Sequence, residues 1–261
     1  SEADLSALWN APAEGGSSFW LGVDLVIAIT VSWVPLVSDY TRFSRDRRSA
    51  FWGSGAGYFL GGTWMLALGV FIVLSRGVSD PVEIPPAVAA AGLAAALALL
   101  AVTLDETDEA FANVYSAAVS LQNVFSAVQQ RVLIVAIAAI STVGAVVIEL
   151  RNYESFLLLL GSCFVPLFGV LAADFVLGAG PAVAVRWEGI ASWAAGFALY
   201  QWIQPTGPAW WRELLADIPG AGEATVGASL PAFALAFLLY AGVRSAHAPL
   251  GRRRARYAGS R

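Results

Sequence analysis

Seven stretches of this chain are apolar over the length a helix needs to cross a bilayer: about 19–38, 52–75, 87–118, 131–149, 155–178, 188–204 and 227–244. A spanning helix takes about 20 mostly apolar residues, so a chain with seven such windows is constrained to a bundle of membrane helices. The runs are continuous rather than alternating, which excludes the strands of an outer-membrane barrel. Charged residues are 13 % of the chain and mean hydropathy is +0.67, roughly half the charge of a soluble domain. Gly, Ala and Ser recur inside the windows, as in GSGAGYFLGG (53–62) and AAAGLAAALA (89–98), where small residues let helices approach closely in lipid. Trp20, Tyr153, Trp187, Trp202, Trp210 and Trp211 fall near window ends, the depth that amphipathic rings favour. The expected fold is all-α and polytopic, with about seven transmembrane helices.

Arginine placement orients them. All fifteen basic side chains are Arg. Seven spans with an external N-terminus put twelve of them on the cytoplasmic side, including Arg42, Arg45, Arg47, Arg48 and the tail GRRRAR (251–256), against Arg76, Arg151 and Arg212 outside. That is the asymmetry of the positive-inside rule. The third window is interrupted by TLDETDEA (103–110) and reads either as one long helix or as two spans. An eighth span would leave GRRRAR external, so one long helix is expected. Residues 1–18 are polar, acidic and Gly-rich without a signal-peptide pattern, and they read as an external loop. An external N-terminus without such a signal is expected where an odd number of spans precedes it. The chain is therefore expected to be the C-terminal part of a longer protein, partnered by a missing N-terminal half. It is expected in the plasma (inner) membrane with a cytoplasmic basic tail (247–261).

Two features carry candidate chemistry. On a helix, Asp105, Asp108, Glu109, Asn113, Ser116 and Ser120 recur at spacings of three and four and form one polar stripe. A carboxylate near the bilayer centre costs roughly 2.5–3.5 kcal/mol on insertion scales. Three facing lipid would cost about 8–10 kcal/mol, so the stripe is expected to face a cavity, a partner or an ion. The second feature is VSWVPLVSDYTRFSRDRR (31–48). Pro35 lacks an amide hydrogen and disrupts the preceding turn, and broken spans expose backbone groups that bind substrates or ions in transporters. Trp33 beside it offers a ring to a planar ligand. Asp39 and Arg42 are close enough to pair. Pro166, in the fifth window, reads as a structural kink, with the late acid Asp174 beyond it.

The motifs VSWVPLVSDYTRF (31–43), DEAFANVYSAAVSLQNV (108–124) and GSCFVPLFGVLAADFVL (161–177) resemble the nucleobase–cation symport-1 family, permeases for cytosine, purines, allantoin and hydantoins. The resemblance runs from residue 18 onward and is closest to the hydroxymethylpyrimidine permease branch. It implies two inverted five-helix repeats followed by two extra helices, as in amino-acid and hydantoin transporters. Here residues 19–178 would be the second repeat and 179–246 the two additional helices. It implies a cation-coupled symporter that imports a small planar, pyrimidine-type heterocycle, such as hydroxymethylpyrimidine or cytosine, by alternating access, with purines, allantoin or hydantoins as alternative substrates. Trp33 is similar to the family aromatic that stacks on the ring, Ser32 offers a nearby backbone contact, and Asn113 resembles the amide on the ring edge. The sodium site of the family is similar in location to Leu104, Thr107 and Asp108. This chain departs from that pattern, because carboxylates crowd where hydroxyls and amides are usual. Asp105, Asp108 and Glu109 are candidates to ligate sodium, carry a proton or bind an aminopyrimidine edge.

Other classes fit less well. A retinal protein needs a Schiff-base lysine, and the chain has none. Its single histidine (His247) and single cysteine (Cys163) provide no imidazole or thiolate metal centre, so no cofactor beyond a coupling ion is expected. A membrane-embedded aspartyl enzyme would usually place its two Asp on different helices, and a sensor has no feature of its own here. The GRRRAR tail beside a span reads as a solvated topology marker, not a nucleic-acid patch.

Overall fold

The structure, a computed structural model, describes residues 18–78, 80–147, 153–178 and 185–247. The expected N-terminal loop and basic tail lie almost wholly outside them. Every element among the described residues is helical. In order these are α1 (Phe19–Ser32), α2 (Val34–Thr41), α3 (Arg47–Arg76), a 3-10 turn (Pro81–Glu83), α4 (Ile84–Ala89), α5 (Leu93–Val124), α6 (Gln130–Val147), α7 (Tyr153–Leu177), α8 (Trp187–Ile203), α9 (Ala209–Ala216) and α10 (Ser229–His247). Four of them, α3, α6, α7 and α10, are long and apolar enough to cross a membrane, and α1 with α2 counts as a fifth if this bent pair is one broken span.

The remaining two expected spans are also helical. α5 carries four acids, and α8 has 17 residues, the short end of what crosses a bilayer. The third window forms one continuous helix through TLDETDEA, but it is shifted along the chain: it starts at Leu93 after a turn at Gly92 and runs on to Val124. Gly92 has φ 128°, which a side chain would resist, so α4 and α5 separate there. α9, an eight-residue helix between the last two spans, is an element the window count does not register.

Two compact units divide the chain. Among the described residues, one comprises those from Val34 to Tyr153; the other comprises those from Ser18 to Trp33 and from Glu154 to His247. In the first, α2 packs on α3 and α5, α4 links α3 to α5, and α5 lies along α6. Asp46 caps α3 by accepting the Ser49 amide at 2.7 Å and the Ser49 hydroxyl at 3.1 Å. These bonds hold its carboxyl below the ordinary carboxylate range. Gly77, at φ 64°, closes the other end in the left-handed conformation.

In the second unit, α10 packs along α8 and touches α1. Buried residues fall every three or four positions: Asp24, Ala28 and Val31 on α1; Leu158, Gly161, Val165, Gly169 and Ala173 on α7; Ala232, Ala236 and Tyr240 on α10. α7, α8 and α10 meet through glycines. A Cβ at Gly196 would lie 2.6 Å from Pro166 Cβ and 2.9 Å from the Ala232 carbonyl oxygen. One at Gly169 would lie 2.6 Å from the Phe233 carbonyl oxygen. Pro166 leaves α7 unbroken from Tyr153 to Leu177.

Candidate functional site

The first span breaks at Trp33. Helix α1 ends at Ser32, the Trp33 amide reaches back to Thr30 at 3.3 Å, and α2 begins at Val34. Pro35, the second residue of α2, accounts for this. It has no amide to give to the preceding turn, and it disfavours helical geometry in the residue before it. Ser32 turns its hydroxyl onto the Ile29 carbonyl at 2.7 Å, and both Ser32 and Trp33 are half-buried.

Each half of the broken span is fixed by an aspartate within its own unit. Asp39 on α2 accepts the Ser116 hydroxyl of α5 at 2.6 Å. The expected Asp39–Arg42 pair does not form. Arg42 lies at the frayed end of α2, where its guanidinium sits 4.7 Å from the Phe43 ring centroid, and Ser116 supplies the donor instead. Asp24 on α1 accepts the amides of Ala228 (2.7 Å) and Ser229 (3.0 Å), the two residues that open α10. Sequence reasoning passed over Asp24. A lone carboxylate inside the apolar run FWLGVDLVIAIT was the available signal, since intramembrane acids are costly unless partnered. Near it, the buried Tyr200 and Ser229 hydroxyls have no hydrogen-bond partner among the described residues.

The acidic stripe lies on α5, and TLDETDEA occupies the middle of this 32-residue helix rather than an end. Thr107 donates its hydroxyl to the Leu104 carbonyl at 2.6 Å, so two oxygens expected to serve a cation are neighbours. Asp105, Asp108 and Asn113 are exposed within their unit, Glu109 is half-buried and Ser116 is buried. The apolar side is also open, with Leu104 and Phe111 both more than 60 % exposed. Ser32 and Trp33 belong to the unit that contains α1; Leu104, Asp105, Thr107, Asp108, Glu109 and Asn113 belong to the other.

Two further polar clusters lie in the unit with α7, α8 and α10. Gln201 donates to the Ser162 hydroxyl at 3.0 Å and accepts from the Thr206 amide at 3.0 Å and Trp211 Nε1 at 3.3 Å. Asp174 takes the Arg186 guanidinium at 2.5 Å and the Tyr240 hydroxyl at 2.7 Å. The Tyr240 bond, with help from the Asp174 charge, pushes Arg186 above its ordinary range, so this latch stays charged.

A family model for permeases of cytosine/purines, uracil, thiamine and allantoin matches residues 1–182. The chain belongs to that family. Membership implies a transporter of nucleobases and related small heterocycles rather than an enzyme, and a multi-pass place in a membrane. The match includes the broken span, the acidic helix and α7, while α8, α9 and α10 lie beyond it. No curated protein and no solved structure matches the permease.

Proposed function

We propose that this permease is a cation-coupled symporter that imports a pyrimidine-type heterocycle, such as hydroxymethylpyrimidine or cytosine, by alternating access. The observation that carries the reading is the break at Trp33. A helix interrupted within a span frees backbone groups to meet a ligand, and here the interruption coincides with a large ring suited to stack on a planar one. In this reading Trp33 stacks on the heterocycle and Ser32 gives a nearby backbone contact. Asn113 and Glu109 hydrogen-bond the ring edge. Leu104, Asp105, Thr107 and Asp108 serve sodium or a transferred proton. Residues 19–178 act as the second of two inverted repeats, followed by two additional helices, in the plasma (inner) membrane with an external N-terminus and a cytoplasmic tail.

The test is uptake of labelled hydroxymethylpyrimidine and cytosine into cells expressing the complete transporter. Saturable uptake of either is expected. No uptake of either, by protein shown to be in the membrane, would overturn the pyrimidine assignment and turn the search to purines, allantoin and hydantoins.

A further inference from the structure

The turn between α2 and α3, with the first two residues of α3, reads Arg42-Phe43-Ser44-Arg45-Asp46-Arg47-Arg48, and every one of these residues is exposed. Four guanidiniums within seven residues repel one another, and the local acid does little to relieve them. Asp46 is committed to the Ser49 amide and hydroxyl. Among the described residues none of these four arginines forms an ion pair, in contrast to Arg186, which Asp174 and Tyr240 hold. Aromatic side chains within and beside the cluster are exposed: Tyr40 57 %, Phe43 79 %, Phe51 72 % and Trp52 63 %. The turn joins the end of one span to the start of another, so connectivity alone puts it at the membrane surface.

A side marker for membrane insertion needs positive charge there, but it needs neither guanidiniums without an ion-pair partner nor exposed aromatics beside them. That combination matches a lipid headgroup: guanidiniums bind phosphate, and aromatic rings settle at headgroup depth. We propose that the Arg42–Arg48 turn binds the phosphate of an anionic phospholipid. The aromatic rings pack beside the glycerol and upper acyl chains, and the lipid supplies the counter-charge that the chain itself withholds.

The test uses the complete transporter, extracted from nanodiscs of mixed phosphatidylglycerol and phosphatidylcholine, with retained lipid counted by native mass spectrometry. Wild type is expected to retain phosphatidylglycerol with at least about a tenfold preference, given the attraction of several basic residues to an anionic surface. R42Q/R45Q/R47Q/R48Q should lose that preference, and R42K/R45K/R47K/R48K, which keeps charge and orientation, should hold it. If the glutamine variant fails to insert, the pairs R42Q/R45Q and R47Q/R48Q should each lose part of it. Equal retention of both lipids by wild type, or an unchanged preference in the glutamine variants, would overturn the proposal. Millimolar inorganic phosphate should leave the bound lipid in place; displacement would mean a soluble-anion site instead.

Discussion

Asp24 is 1 % exposed and accepts two backbone amides from a segment more than 200 residues away. Removing the carboxylate leaves both amides buried without an acceptor, at a cost of about 1–3 kcal/mol. Asp24→Ala should lower the melting temperature of the detergent-solubilised protein, and Asp24→Asn, which keeps one acceptor oxygen, should lower it less. Equal melting of all three proteins would remove Asp24 as a tether. For Trp33 the expectation concerns ligand. Trp33→Ala should lose stacking worth roughly 1–3 kcal/mol, by analogy with bases on aromatic side chains, and weaken heterocycle binding about ten- to a hundredfold. Near-normal affinity in equilibrium binding would take Trp33 out of the site. The two residues differ in how readable they were. Pro35 announced the break at Trp33 from two positions away. Nothing local names the partner of Asp24, because hydrophobic periodicity reports a face and not what covers it.

At the scale of elements, the packing of α7, α8 and α10 depends on absent side chains. Gly196→Ala would drive a methyl into Pro166 and the Ala232 carbonyl, overpacking worth about 1–3 kcal/mol. Thermal unfolding should show the loss, and an unchanged melting curve would mean the seam relaxes freely. The start of α3 should be sensitive to acid. Asp46 titrates below its ordinary value of 3.8, so its contribution is complete above that value and lost as pH falls through the lowered one. The stability gap between wild type and Asp46→Ala should therefore close under strong acid. A gap independent of pH would assign the cap to something other than the carboxylate. All seven apolar windows became helices, since continuous hydrophobicity of this length has few alternatives. The boundaries of the third moved because one glycine turn outweighed the apolar run of 87–92. α9 escaped notice because eight amphipathic residues carry too little periodic signal.

For the whole molecule, the coupling ion is the property most open to direct measurement. If Leu104, Thr107 and the neighbouring acids serve sodium, replacing sodium by choline should abolish uptake by the complete transporter. Uptake unchanged in choline yet abolished by an uncoupler would assign the acids to protons. Family and helix content were legible from three motifs and a hydropathy pattern; the division into two units, with Trp33 and Val34 on opposite sides of the boundary, was not. The continuity of α5 has one more consequence, which follows from length alone. At 1.5 Å per residue the helix is about 48 Å long, against about 30 Å of hydrocarbon. The part before Asp105 measures about 18 Å and the part after Glu109 about 22 Å, so neither crosses on its own. A crossing α5 therefore has about 18 Å of helix to spare, enough to slide Asp105 to the edge of the hydrocarbon, yet at either limit Glu109 stays about one turn inside it; water or a cation has to be brought in to Glu109.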